Sequence, residues 1–404
     1  MGRHGGAERL CLDVARHFLQ RGHEVTVFWH EWFPRVQSAV SGYPEVLPYL
    51  HSVPWRLYSL GELGGRIRAC DVLLVMYHVN PRIGWLLTRA LKGKVPLVWY
   101  AGEPNRGLWE RWITGEERAR GMKGLFRRTV AAIYGSFAGA LASSIPFYWL
   151  ATGFLRLVDY TYARRFDLVI AQSSSVAKVL QKIYRIANVP VIYPGIDPKR
   201  LMKASNGDIK DKRIKDLLKS QYFLGVGALE KHKNYEAMIQ GFKLAVSQTG
   251  RQDVKLVIVG TGKGSQYRSL SNTASSMEGS ADVKIFDWSP TELVGVLYRN
   301  CKAVVHTALW EPFGLTPLEG AFFGKPSIVS KIGGTAETVI DQHTGILVNP
   351  YDIRSISDAF QTFMNDEFLR QTMGENARKH MTSNFTISKM VERLEESLNR
   401  VSRN

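Results

Sequence analysis

The chain has 404 residues, 45% of them hydrophobic, which suits two or three domains with separate cores and excludes a disordered protein. Its net charge of +17 is uneven: residues 1–200 hold 27 Lys and Arg against 14 Asp and Glu, and the rest hold 26 against 22. A basic first half points to an anionic partner (membrane lipid, nucleic acid or a phosphorylated substrate), but nucleic acid is disfavoured because no RNP-type, helix-turn-helix or zinc-finger pattern occurs.

In chain order, Met1-Gly2-Arg3-His4-Gly5-Gly6 lacks the apolar core of a signal peptide. Cys11, Cys70 and Cys301 are scattered, with no C-x-x-C pair, so neither a disulfide framework nor a thiolate zinc site is expected. Both observations lead to the expectation of a cytoplasmic protein. Ala7 to Gln20 reads as a helix, with Leu10, Val14, Phe18 and Leu19 on one face and Gly22 as its stop. Strands are predicted at Val25–Trp29, Val72–Met76, Val95–Tyr100, Leu168–Ala171 and Val189–Tyr193. A doubly wound domain opens on an apolar strand before its first glycine loop, yet here the loop follows the first methionine directly. The first strand is therefore expected to be missing, or the natural start to lie upstream. The second reading is preferred, since a central gap would leave two strand edges unpaired.

Residues 129–155 carry no charged side chain, with Arg127 and Arg128 before them and Arg156, Arg164 and Arg165 after. About 20 apolar residues would span a bilayer. This run is interrupted by Gly135, Gly139, Pro146 and Gly153, and basic residues on both flanks place its two ends on one side. Two readings stand: an interfacial or re-entrant hairpin broken at Pro146, and a helix pair buried in the first domain.

Pro194-Gly195-Ile196-Asp197-Pro198 reads as a hinge before a second strand set: Tyr222–Val226, Lys255–Val259, Val283–Phe286, Ala303–His306, Ser327–Ser330 and Ile346–Val348. Strands alternating with amphipathic helices predict an α/β chain of two Rossmann-like domains joined near residue 200. The expected division is 1–197, 198–380 and a C-terminal segment 381–404, whose helix from Ile387 to Val401 packs back across the domains.

Several loops carry chemistry. Gly5-Gly6-Ala7-Glu8-Arg9 places unhindered backbone at a helix start, where it can approach a phosphate or sugar, or simply turn. Gly225 to Asn234 crosses from a strand to a helix, where Lys233 either reaches a diphosphate or belongs to a solvated basic loop. Lys263, in Gly260-Thr261-Gly262-Lys263-Gly264, faces the same crevice in this reading. Trp310 to Gly320 holds Glu311 and Glu319 eight residues apart around a Gly-containing loop and a helix start. A carboxylate one turn into that helix can accept from a vicinal diol. Thr316-Pro317-Leu318-Glu319 also fits a capping box, which remains the alternative.

Taken together, these motifs resemble the retaining glycosyltransferases of family four, which share the two-domain GT-B architecture. The resemblance covers nearly the whole chain. It is most specific from Glu311 through Gly333-Gly334-Thr335-Ala336-Glu337-Thr338 to Thr344-Gly345-Ile346-Leu347-Val348, and it includes the opening Gly-Gly-Ala-Glu-Arg-Leu and the Lys-His-Lys-Asn loop. The mannosyltransferases of lipid-linked oligosaccharide assembly begin similarly. The resemblance implies that Glu319 binds the ribose of a nucleotide-sugar and that Glu311 orients the donor sugar. The N–H groups of Phe313, Gly314 and Leu315 would hold sugar or phosphate, and Lys233 would neutralise the departing diphosphate. Gly5 and Gly6 would let the first domain close on the donor, and the base would lie near Ile285 to Trp288, with Phe286 among its contacts. Lys233 and Glu311 are thus the catalytic candidates, and His78, Glu103 and Arg106 the acceptor-side ones. His78 is equally read as a strand-end histidine with one structural hydrogen bond.

No D-x-D pair and no H-E-x-x-H occurs, so no metal and no resident cofactor is expected. Two positions depart from the family pattern. Ala228 stands where an arginine often helps hold the diphosphate, and Gly102 stands where many members carry a histidine. Lys231 or Lys263 would supply the missing charge, and His78 the imidazole. The expected activity is transfer of a hexose, mannose foremost, with retention, to a lipid-linked or other membrane-associated glycan at the cytoplasmic membrane face. The alternative is a non-catalytic scaffold that binds nucleotide-sugar or glycan.

Overall fold

The computed structural model describes residues 6–30, 43–53, 67–77, 81–106, 108–109, 145–205, 209, 212–262, 264–276, 281–287 and 294–403. Two compact units are present. One joins Met1–Trp55 to Tyr193–Arg393, and the other joins Arg56–Ile192 to Leu394–Asn404.

The first unit opens on α1 (Gly6–Gln20). Leu10, Val14 and Phe18 recur at helical spacing and are buried, as the apolar stripe predicts. Leu12 and Ala15 pack with Tyr43 and Val46, against Leu19, Val25, Val27 and Leu50. The helix stops at Gly22, whose φ of 88° suits glycine. The strands β1 (Val27–His30) and β2 (Leu50–Val53) follow as a parallel pair with Val27 opposite Leu50.

The second unit is a three-stranded parallel sheet in the order β3 (Leu73–Met76), β4 (Leu97–Ala101), β5 (Leu168–Ala171), with α2 (Pro81–Leu91), α3 (Ile145–Ala163) and α4 (Ser174–Tyr184). All five residues of β4 are buried, as a central strand requires. Trp99 packs with Tyr162, Phe166 and Tyr184, with ring centroids 6.3, 5.6 and 5.8 Å away. The strand predicted at Val189–Tyr193 reduces to one bridge, Ala171 to Val191. Ala171 bonds to Pro190 and Ile192 on either side, but Pro190 has no N–H with which to lengthen the ladder.

Pro146 is the second residue of the described part of α3, and the hairpin read around it involves residues 129–144. The preceding part of the uncharged run, 129–144, lies outside the described residues. Arg156 and Asp159 turn inward from α3: Arg156 Nε donates to Leu108 O, and buried Asp159 accepts from Trp109 Nε1 at 2.6 Å and Tyr184 Oη at 2.7 Å. Phe154 and Leu157 are exposed. Among the described residues no helix is long and apolar enough to cross a membrane.

The first unit resumes with α5 (Pro198–Ser205), α6 (Lys212–Leu217), β6 (Gln221–Val226), α7 (Tyr235–Thr249), β7 (Val254–Gly260), α8 (Gly264–Ser276), β8 (Asp282–Asp287), α9 (Val294–Asn300), β9 (Val304–His306), α10 (Thr316–Phe322), β10 (Ser327–Ser330), β11 (Gly345–Val348), α11 (Ile353–Asn365), α12 (Glu367–Asn384) and the start of α13 (Ile387–Ser402), whose residues from Leu394 on belong to the other unit. Its parallel sheet runs β11-β10-β9-β6-β7-β8. Strand side chains alternate between two cores. Phe223, Leu256 and Ile258 join the aromatic cluster of Phe242 and Phe360, while Tyr222, Leu224, Val257 and Val259 join Leu297 and Tyr298. Strand order reverses between β6 and β9, and ligands of such sheets bind beyond the carboxyl ends at that reversal.

The stretch read as a hinge is pinned in place. Ile196 N donates to Phe385 O at 2.7 Å, Ile387 N returns a bond to Ile196 O at 2.9 Å, and a side chain at Gly195 would meet the Ile387 backbone at 2.4 Å.

Candidate active site

Two loops leave the sheet where its order reverses, one after β6 and one after β9, and backbone contacts fasten them together. Leu309 N donates to His232 O at 2.9 Å, and Thr307 Oγ1 donates to Asn234 O at 3.3 Å. Glycines permit the close approaches. Gly227 has φ 150°, and a Cβ there would lie 3.0 Å from Tyr235 Oη. Gly333, at φ 79°, lies against Glu311, whose carbonyl oxygen a Cβ would approach to 2.7 Å; the next residue, Gly334, donates its N–H to that same oxygen at 2.8 Å. The match from Glu311 to Thr338 is therefore a physical contact as well as a motif.

This packing brings Lys233 Nζ to 2.6 Å from Glu311 Oε2, with the side chains 14% and 18% exposed. His306, at the end of β9 and nearly buried, points Nε2 at the same oxygen from 4.0 Å. Burial alone would raise the Glu311 pKa, but the charges of Lys233 and His306 and the Lys233 hydrogen bond outweigh it and hold the carboxyl at about 2. Burial, reinforced by Lys233, pushes His306 down to about 4, so its imidazole is neutral near pH 7.

Glu319 forms a second cluster. Its Oε2 accepts from Tyr298 Oη at 2.8 Å, and its Oε1 lies 3.7 Å from Arg200 Nη2. Arg200 also reaches Asp13 on α1, with Nε 3.8 Å from Oδ2. Burial works against the charge of Arg200, while Glu319 and Asp13 more than offset it. Asp13 also accepts from Tyr43 Oη at 2.7 Å, and Arg16 bonds Asp197, so α1 is wired by charge to the helix carrying Glu319. The capping box is not formed. The residue before α10 is Leu315, in helical conformation without a side-chain cap bond, and Thr316 Oγ1 turns instead to Val226 O at 3.4 Å. The Glu319 carboxylate is thereby left to Tyr298 and Arg200.

Between the clusters run Phe313, Gly314 and Leu315. Among the described residues, none accepts from their N–H groups. Gly314, with φ 83°, faces Thr335, whose Oγ1 a Cβ would approach to 2.8 Å.

The remaining predicted positions fall as follows. Gly5, His78, Lys263 and Trp288 lie outside the described residues, and Gly6 begins α1. Phe286 sits half-buried near the end of β8, packed on the cluster containing Tyr298. Glu103 and Arg106 pair with each other through two bonds of 2.9 and 3.2 Å. Gly102 has no room for the family's histidine, since a Cβ would meet the Tyr77 ring at 2.6 Å. Lys231 is exposed, three residues after Ala228. Sequence reasoning missed Arg200 and Tyr298, which are distant in sequence from Glu319, and His306, which lies five residues before Glu311 at the end of a buried strand.

Residues 208–380 match the family described as Glycosyl transferases group 1, and residues 4–200 match Glycosyltransferase Family 4. The chain thus joins a family-four glycosyltransferase domain to a group 1 glycosyltransferase domain. It is 26% identical to the alpha-1,3/1,6-mannosyltransferase alg-2 of Neurospora crassa, over 98% of this chain and 88% of that one. It is 25% identical to the D-inositol 3-phosphate glycosyltransferase of Corynebacterium diphtheriae, over 97% and 88%. In fold it is similar to Anabaena HepE solved in complex with UDP-glucose, with a TM-score of 0.71 and 19% identity over 99% of this chain and 97% of that one. The expected two-domain GT-B architecture and glycosyl-transfer activity therefore stand.

Proposed function

We propose that this glycosyltransferase moves a hexose, mannose foremost, from a nucleoside-diphosphate sugar to a lipid-linked or other membrane-associated glycan, with retention of anomeric configuration and at the cytoplasmic face of a membrane. The observation that carries the donor part is the arrangement at the strand reversal. Lys233 and Glu311 lie on one side, Glu319 lies on the other, and between them lie N–H groups that have no acceptor among the described residues. Glu319 takes the ribose diol in this reading, the N–H groups of Phe313, Gly314 and Leu315 take phosphate or sugar oxygens, and Lys233 meets the charge that grows on the leaving diphosphate. Glu311 orients the sugar. The leaving charge is met by the protein's own cations and dipoles, without a metal. Mannose is favoured by the likeness to the Neurospora mannosyltransferase. The basic first half and the exposed Phe154 and Leu157 favour an anionic membrane surface as partner.

The test is a screen of radiolabelled GDP- and UDP-sugars against membrane lipid extract, with and without EDTA. Transfer from GDP-mannose into lipid, undiminished by EDTA, is expected. Donor binding without transfer to any acceptor would overturn the reading in favour of a scaffold, and loss of transfer in EDTA would overturn the metal-free part.

A further inference from the structure

His306 is a buried histidine of the candidate site that the proposed mechanism leaves without work. Its side chain is 6% exposed, and Nε2 is buried with no hydrogen-bond partner among the described residues. An orphaned buried donor costs about 1–3 kcal/mol relative to a satisfied one. An aliphatic side chain in this strand would avoid that loss. The orphan is also aimed: Nε2 lies 4.0 Å from Glu311 Oε2, the oxygen that Lys233 occupies at 2.6 Å.

Under the proposed function that occupancy is temporary. A diphosphate competes with Glu311 for the Lys233 ammonium, and Glu311 is then left with little solvent to replace it. We propose that His306 is a positioning residue that receives Glu311 at this moment: its Nε2–H closes the gap by about 1 Å to hydrogen-bond distance and holds the freed carboxylate in register with the sugar. No covalent bond changes and no proton is transferred. A neutral imidazole suits this role, because it donates a hydrogen bond without adding a positive charge that would hold the diphosphate back from Lys233. The site of attachment suits it as well, since His306 ends a buried strand and Leu309, three residues on, is bonded to the Lys233 loop. Together these make a relay in which one carboxylate oxygen passes from an ammonium to an imidazole.

This inference rests on the donor reading above, and the experiment separates the two. In the full chain, kcat and donor KM would be measured with GDP-mannose for wild type, His306→Leu, His306→Gln, His306→Asn and Lys233→Ala, with thermal melting recorded for each. Leucine is expected to lower kcat about tenfold to a hundredfold, the value of one hydrogen bond to a charged group, while leaving donor KM within about twofold. Glutamine, whose amide nitrogen reaches the place of Nε2, is expected to restore kcat to within about threefold of wild type, and asparagine, which reaches only the place of Nδ1, is not. Wild-type kcat in the leucine variant, or equal losses in leucine, glutamine and asparagine, would overturn the inference. If leucine does not fold, the glutamine and asparagine pair decides. If Lys233→Ala also turns over normally, the donor reading fails; if it alone is inactive, only the role of His306 fails.

Discussion

Replacing Lys233 by methionine keeps the aliphatic stem and removes the ammonium that lies 2.6 Å from Glu311. In the intact site Glu311 is displaced from its ordinary 4.5 to about 2, even though burial pushes it the other way. That displacement corresponds to about 3 kcal/mol of net preference for the charged carboxylate. Without Lys233, burial is opposed by the weaker pull of His306 and His232, so the Glu311 pKa is expected to rise from about 2. The sign follows from the two states. A carboxyl whose folded pKa is depressed adds stability above pH 4.5 and loses it as pH falls toward 2, and the methionine variant loses this contribution at every pH. Turnover is expected to fall about 10²–10³-fold, the usual loss on removing one preorganised charge stabiliser. Carboxyl-carbon NMR, with the Glu311 signal assigned by difference from Glu311→Gln, reads the pKa, and initial rates read the chemistry. A Glu311 that still titrates near 2 in the methionine variant, or turnover within about threefold of wild type, would refute the reasoning.

Glu319→Gln keeps the Tyr298 contact but weakens the grip on a diol, and is expected to raise the Kd for nucleoside diphosphate by about tenfold or more, measured by calorimetric titration; Tyr298→Phe should move it in the same direction and less. Removing Arg200 takes away a cation shared by Glu319 and Asp13, leaving Asp13, only 2% exposed, to Arg16, so Arg200→Ala is expected to lower unfolding free energy by about 2 kcal/mol in urea titration. Because the folded pKa of His306 is about 4 against an ordinary 6.5, its contribution to stability is complete above pH 6.5 and is lost as pH falls through 4; His306→Gln should flatten that part of the melting curve measured against pH.

Much of this fold was legible because the strand runs are periodic and bounded by turns. Leu168–Ala171 and Ser327–Ser330 coincide with their predicted bounds, and most other strands differ at their ends by one or two residues. Val189–Tyr193 misled because apolar content says nothing about which N–H groups remain to pair, and Pro190 removes one. β2 was missed because Leu50–Val53 is short and holds both His51 and Ser52. At the site, Lys233, Glu311 and Glu319 were found because loop glycines and helix starts mark them in the sequence. Their partners were not: Arg200 and Tyr298 meet Glu319 only through the fold, and His306, five residues before Glu311, reads in the sequence as the last residue of a buried strand. The capping box failed for a related reason: local spacing offered Glu319 to its own helix, while Tyr298, 21 residues earlier, claimed it. The tight fit of Tyr77 over Gly102 likewise depends on β3 and β4 being neighbours.

The central claim is that this site performs retaining transfer from a nucleotide-sugar. Proton NMR of the anomeric region, followed while the full chain consumes GDP-mannose with a lipid-linked acceptor, tests it directly. The account expects an α-linked product formed from the α-linked donor, and no product with Glu319→Ala. A β-linked product, or transfer that survives the loss of Glu319, would contradict it.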